Sequence, residues 1–277
     1  MFADSPDGNG GFTPLSVGPS GGARFAGVIT PTMSAPYSGK AGIRMTPSVI
    51  DRSTDPRAYR ALRRKDPVFK RLIDVFGRPS PFDWHDGGRT GRSLFAAMTL
   101  HIVGQQISAV VAFRIYDRLA AACGGLPTAS TVLSLGAVRL RETGLSTAKV
   151  SYVTALAEAQ VSGDIDIEEM AKLDDATIIA ELTAIRGIGL WSAQTFLIHN
   201  LARPDVLPSG DLGIRRAVAL QWQLGELPTA KAVSDRAQGW APYRSYAAAL
   251  LWRSLAPVGA ESDPKARAIA AEHAAPS

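Results

Sequence analysis

From Asp55 onward, apolar residues recur at helical spacing in one segment after another, and Gly or Pro punctuates most of the joins. Alternating β-branched runs, the mark of half-buried strands, are scarce. No other feature constrains the chain as much. It must bury its apolar faces helix against helix, which predicts an all-α domain with short loops and no solenoid period. Helices are predicted over 56–65, 67–76, 92–103, 106–122, 131–135, 137–142, 146–162, 167–171, 175–184, 190–201, 212–223, 230–238, 242–255 and 262–273. Helix caps are read at Asp66 before PVFKRL, Ser130 before TVLSL and Thr229 before AKAVSDRA. A short polar side chain at such a position satisfies an N–H group that the first turn leaves open.

Residues 1–52 read differently. They are rich in Gly, Ser and Pro, as in GPSGG and TPTMSAPYSGK, without sustained periodicity. A flexible, disordered tail is expected there, with RFAGVIT as a candidate short strand. The remainder, 53–277, is expected to form one all-α domain of two lobes. One lobe runs from about 90 to 200, and the flanking segments make the other. The cleft between two lobes is where a ligand is expected.

Composition narrows the partners. Among 277 residues, 46% are hydrophobic, enough for a sizeable core, and the formal net charge is +5. A basic balance leans towards a polyanion, with salt-dependent binding, but does not establish one. The single cysteine, Cys123, excludes an internal disulfide and a four-cysteine zinc or iron–sulfur site. It fits a reducing compartment. No apolar run reaches membrane-spanning length, and MFADSPDGNGG lacks the pattern of a secretory signal. A soluble protein of the cytoplasm or nucleus, without a membrane partner, is expected.

Four stretches carry chemistry. In IIAELTAIRGIGLWSAQTFLIHNL, a helix ends near Ile185, Gly187-Ile188-Gly189 turns tightly, and a second helix starts at Leu190. Two glycines permit positive φ and close approach of another backbone. The second helix offers free N–H groups and a dipole that favours an anion, for which a phosphate diester is a natural guest. A helix–hairpin–helix of this kind holds a nucleic-acid backbone without reading sequence. Gly-x-Gly alone is also compatible with an ordinary helix–helix turn. In VLPSGDLGIRRAVALQW, Asp211 precedes a helix, as many capping aspartates do, but it follows Gly189 by 22 residues. That spacing can return the carboxylate to the hairpin. In LHIVGQQISAVVAFRIYDRLAAACGG, Gln105 and Gln106 interrupt an apolar helical pattern. They are either solvated or able to fill a gap in a duplex. In GWAPYRSYAAALLWRSL, Trp240, Tyr243, Tyr246 and Trp252 stud a helix. Most such stripes are core, but Trp252 can face a pocket, with Arg244 available to a phosphate or a carboxylate.

Taken in order, GQQIS, GLSTAK, IRGIGLWSAQ, LPSGDLGIRRAV and WAPYRSYAAALLW resemble the helix–hairpin–helix DNA glycosylases, and most closely the 3-methyladenine DNA glycosylase II (alkylbase) branch, over roughly residues 58–256. The resemblance implies a hydrolase of base excision repair that flips alkylated purines (3-methyladenine, 7-methylguanine type) out of double-stranded DNA and cuts the N-glycosidic bond. It makes Asp211 the catalytic residue, Trp191 and Trp252 the walls of the base pocket, and Gly187, Ile188 and Gly189 the phosphate clamp. Gln105 and Gln106 fall in the region that enters the duplex. The Ile185 and Ile188 carbonyls stand where relatives often hold a monovalent Na or K ion; otherwise no cofactor is implied. Trp191 replaces the lysine of lyase-competent relatives, so a monofunctional enzyme is implied.

The sequence departs from the family pattern in several places. No β-rich domain precedes the helices, which marks a short form. Gln106 is polar where relatives often carry an apolar wedge. Gly210 and Leu212 flank Asp211 without a second carboxylate or aromatic, which predicts an open pocket on that side. Iron–sulfur cysteines of the endonuclease branch are absent. One chain holds every part, so a monomer is expected. The alternatives are a glycosylase for hypoxanthine, uracil or an oxidised base, and a non-catalytic helix–hairpin–helix DNA-binding protein. Arg186, Lys149 and Arg215 are further candidates for phosphate contacts.

Overall fold

The computed structural model describes residues 50–274, so the strand expected at RFAGVIT and nearly all of the expected disordered tail lie outside the described residues. Among the described residues the secondary structure is helical throughout, without a strand. The α-helices are α1 (Pro56–Lys65), α2 (Pro67–Phe76), α3 (Leu94–Gly104), α4 (Ala109–Cys123), α5 (Ala129–Glu142), α6 (Thr147–Ser162), α7 (Asp175–Ala184), α8 (Leu190–His199), α9 (Leu212–Gln221), α10 (Ala230–Arg236), α11 (Arg244–Arg253) and α12 (Pro264–Ala274). Short 3-10 helices cover Ile167–Lys172 and Ala237–Trp240.

Local chemistry sets the boundaries. Asp66 and Thr229 cap α2 and α10, accepting from Val68 N at 2.8 Å and Ala232 N at 3.1 Å. Ser130 is not the cap of α5. Thr128 is, because Thr128 and Thr131 form a reciprocal capping box that satisfies two donors where one serine satisfies a single donor. The break expected after 135 is a kink at Gly136, φ 67°, inside α5. The helix expected from 106 starts at Ala109, because Ser108 takes the cap position and accepts from Val111 N.

Two cores result. The first gathers α3 to α8. At its centre lies α3, buried from Leu94 to Val103, as a segment apolar on every side requires. Glu168 anchors its start, accepting from Ser93 Oγ at 2.8 Å, Leu94 N at 3.0 Å and Phe95 N at 3.1 Å, where the helix dipole favours a carboxylate. Lys149 closes its end, with Nζ donating to Val103 O at 2.7 Å. The second core joins α1 and α2 to α9, α10 and α11. On α1, Ala58, Tyr59 and Leu62 face inward while Arg57, Arg60, Arg63, Arg64 and Lys65 face water.

Among the described residues, the fully buried positions pass between the two cores three times. The chain leaves the second core after Phe82 and enters the first at Leu94. It returns between Val206, in the first core, and Leu207, in the second. It crosses again after α11, and α12 packs on α4 with Ala268 in the first core. This last crossing corrects the expectation that everything after 200 joins the flanking lobe. Arg89 explains it: the guanidinium pairs with Asp117 on α4 at 2.8 Å and with Glu272 on α12 at 2.9 Å.

Candidate active site

The α7–α8 hairpin hangs on three buried side chains, Leu182, Ile185 and Ile188. Ile185 N donates to Leu182 O at 3.2 Å, and Ile188 N donates to Ile185 O at 3.1 Å. The two glycines have different jobs. Gly187 has φ +91°, and a Cβ there would lie 2.0 Å from Cγ of Tyr152, whose ring on α6 packs against it. Gly189 does not need positive φ. It caps α8 at φ −92°, with nothing within 4 Å of where its Cβ would stand. Its missing side chain leaves the start of α8 open and uncapped, so the first N–H groups are free for an anion.

The glutamines lie in the α3–α4 turn, not within a helix. Gln105 is half-buried, and its Nε2 donates to Gly187 O at 2.9 Å, bracing the hairpin from behind. That contact occupies the side chain, so Gln105 is not placed as a free group awaiting a duplex. Gln106 is exposed at φ 58°, the left-handed region, at the tip of the turn.

Of the candidate phosphate contacts, Arg186 is exposed beside the hairpin and has no ion pair or side-chain hydrogen bond among the described residues. The others are engaged. Lys149 caps α3, and burial lowers its pKa. Arg215 Nε donates to Pro228 O at 2.7 Å. Arg244 grips Asp205 in a two-pronged pair at 2.8 Å and 2.9 Å, so it is not available to a phosphate. Trp240, at the end of the second 3-10 helix, and Tyr246, on α11, are core, while Trp252 on α11 packs against both cores and turns its edge to the cleft.

Asp211 caps α9, four residues past the second crossing. Its Oδ1 accepts from Ile214 N at 2.8 Å and Trp252 Nε1 at 3.0 Å; its Oδ2 accepts from Trp191 Nε1 at 2.8 Å. A carboxylate has about four lone-pair positions, so three donors fix its plane and leave roughly one position, on Oδ2, for another guest. Trp191 sits on the first lobe and Asp211 on the second, so their bond spans the cleft. Trp191 remains 48% exposed, which leaves a ring face open to a ligand. Gly210 has no atoms within 4 Å of a would-be Cβ, and Leu212 is exposed, so this flank is open.

Behind these groups lies a cavity of about 1170 Å³ whose lining includes Trp84, Trp191, His199, Asp211, Trp252 and Lys265. His199 stacks towards Trp252, ring centroids 6.0 Å apart, and lies 6.1 Å from Trp84. Trp84 stacks on His101 at 4.5 Å. Burial, with a further contribution from the Lys265 charge, pushes His199 down to about 4, so it is neutral at pH 7. Burial and Lys265 lower His101 likewise.

Several of these groups escape a reading of the sequence. Trp84 belongs to an irregular segment that no periodicity marks, and Lys265 to a predicted terminal helix whose pattern does not say where it packs. Gly213 offered a signal, a glycine in the first turn of the helix that Asp211 caps. A Cβ there would stand 2.9 Å from Asp211 Oδ1 and 3.4 Å from Trp252 Cδ1, so only glycine leaves that pair undisturbed.

Among the described residues no cluster of His, Cys, Asp and Glu side chains could hold a metal ion, and no helix is long and apolar enough to cross a membrane. Residues 100–242 match the HhH-GPD superfamily base excision DNA repair protein family. The chain is 30% identical to DNA-3-methyladenine glycosylase 1 of Schizosaccharomyces pombe over 192 residues, covering 68% of this chain and 82% of that protein. It is 29% identical to YfjP of Bacillus subtilis, named for a DNA-3-methyladenine glycosylase, over 170 residues and 59% of each chain. In three dimensions it resembles S. pombe 3-methyladenine DNA glycosylase (Mag1) in complex with abasic DNA. That likeness has a TM-score of 0.61 at 28% identity, over 74% of this chain and 100% of the other.

Proposed function

The chain belongs to the HhH-GPD superfamily of base excision DNA repair proteins, and from that membership we propose that it is a monofunctional DNA glycosylase that excises alkylated purines from double-stranded DNA. The observation that carries this reading is the Asp211 carboxylate, fixed by two indole N–H groups, one of them reaching across the cleft, beside an open helix start. DNA binding alone has no use for a fixed carboxylate near phosphates.

The chemistry follows from the geometry. A target base inside a duplex is out of reach, so the nucleotide must be flipped out; unstacking costs on the order of a few kcal/mol, and less for a damaged pair. The hairpin N–H groups hold the backbone phosphate, with Arg186 beside them. The Ile185 carbonyl accepts one N–H and keeps a lone pair, which suits a monovalent cation shared with Ile188. Such an ion would add positive charge for the phosphate. Ring alkylation leaves a purine positively charged, and its face can rest on Trp191 and Trp252. As the bond to C1′ breaks, the electron pair leaves with the base and neutralises it. Positive charge grows on the sugar, where the Asp211 carboxylate stabilises it electrostatically. Water then adds to C1′ and loses a proton. With three donors already on the carboxylate, the remaining Oδ2 position is the one that can orient that water.

Base release from duplex DNA carrying 7-methylguanine, measured in single turnover, tests the reading. Release of free base with the strand intact is expected; no release from any lesion of an alkylated, deaminated and oxidised panel would remove it. Trp191→Ala should slow release of a cationic base about 30-fold more than release of a neutral one, since a desolvated cation–π contact is worth up to about 2 kcal/mol. Equal loss on both bases would remove the π-face argument. Borohydride added during turnover should trap no protein–DNA adduct, because Trp191 stands where a lyase needs an amine. A trapped adduct would show lyase chemistry and overturn the monofunctional assignment.

A further inference from the structure

Among the described residues that line the cavity, Lys265 is the cation set on an indole face. Lys265 Nζ lies over the Trp84 ring, 3.3 Å from its centroid, and the side chain lines the same space as Asp211, Trp191 and Trp252. Its placement is locally unfavourable. Lys265 sits in the first turn of α12, where the dipole favours an anion. The nearby Asp263 is committed elsewhere: Oδ1 accepts from the Lys265 backbone N–H at 2.7 Å, and Oδ2 bonds His85 Nδ1 at 2.8 Å. Among the described residues the ammonium has no ion pair and no hydrogen bond; its one recorded partner is a π face. An ammonium has three donors, and here they are left for whatever enters the cavity.

We propose that Lys265 sets the charge selectivity of the base pocket, opposing cationic bases and favouring neutral lesions that present an acceptor edge. The proposal rests on the glycosylase reading and refines its substrate class. Two elements of opposite effect then share one cavity. The exposed indole of Trp191 attracts a positive purine, while the ammonium on Trp84 repels it and already occupies an aromatic face that a cation would seek. A charge–charge interaction in a cavity of this size is felt without direct contact. Burial pushes the Lys265 pKa down to about 8, with Asp263 and Asp86 pulling the other way, so the ammonium form predominates at pH 7. A neutral purine with a ring or exocyclic acceptor, such as hypoxanthine, can take a hydrogen bond from the same group.

The test compares single-turnover release of 7-methylguanine, a cationic base, with that of hypoxanthine, a neutral one, in otherwise identical duplexes. The readout is the ratio of the two rates, which is independent of the active fraction of any preparation. Lys265→Met should raise the 7-methylguanine to hypoxanthine ratio about tenfold, equivalent to about 1.4 kcal/mol, and Lys265→Gln should do the same. Lys265→Arg keeps the charge and should leave the ratio near that of the unaltered chain. An unchanged ratio in both neutral variants overturns the proposal. So does an equal change in Lys265→Arg, which would mark a purely structural role. If the unaltered chain releases neither base nor any other lesion, the glycosylase reading falls, and this inference falls with it.

Discussion

Asp211→Asn is expected to slow base release on the order of 10³-fold, about 4 kcal/mol of lost transition-state stabilisation, while binding to abasic-site DNA persists. The substitution is nearly isosteric, and asparagine caps a helix as well as aspartate, so α9 keeps its first-turn bond from Ile214 N. Two things change. The negative charge facing the sugar disappears. One oxygen becomes an NH2 group, and Nδ2 then confronts an indole N–H. Because Oδ1 serves both Ile214 and Trp252 while Oδ2 serves Trp191 alone, the amide should keep its oxygen on the former pair and face its nitrogen to Trp191. The bond across the cleft is lost, and Trp191 fluorescence should report its release. Thermal stability should stay within about 1 kcal/mol of the unaltered chain. Full activity in the variant would strip Asp211 of its role.

Gly187→Ala is expected to destabilise the fold by about 3 kcal/mol and to weaken DNA binding at least tenfold. A non-glycine residue in left-handed backbone costs roughly 1–2 kcal/mol, and overpacking commonly adds about 1–3. Here the new methyl would fall inside the Tyr152 ring, 2.0 Å from Cγ, so either the ring or the hairpin must move. Urea melts measure the first effect. Binding measured across a salt series measures the second, since a displaced clamp should also flatten the salt dependence. Gly189→Ala is the matched comparison. Its φ of −92° and empty surroundings predict an unaffected melt. Its methyl would project where a phosphate should lie, so binding alone should fall. If the two variants behave alike, the division of labour between the glycines is wrong.

How much of this was legible in the sequence depended on whether the information was local. Helical periodicity is local, so the helices emerged, and so did the Asp66 and Thr229 caps. The family resemblance identified Asp211, Trp191 and Trp252, and the structure brings those three side chains into direct contact. What the residues could not declare was the direction of a side chain. Gln105 turns back to Gly187 because the α3–α4 turn faces the hairpin, a fact of packing between segments 82 residues apart. Arg244 and Lys149 looked like free cations in the sequence because Asp205 and the Val103 carbonyl, which hold them, are distant along the chain. The glycines of the hairpin were indistinguishable until φ was known. Lys265 lies past the end of the recognised motifs, on a helix whose return to the first lobe no pattern announces.

The three passages of the chain between the lobes carry a mechanical consequence. Two bodies that share one connector can swing apart like a clasp; each further connector removes some of the ways they can move. The third stitch is reinforced where Arg89 ties α4 to α12 and where His85 meets Asp263. The mouth of the cavity is therefore expected to keep much of its width on docking, with most of the compliance coming from the other partner. On the proposed reading, search speed should track the pliability of the duplex around a lesion. A damaged purine beside a soft pyrimidine–purine step should be found sooner than the same purine in a stiff A-tract, although the protein touches the neighbouring bases alike.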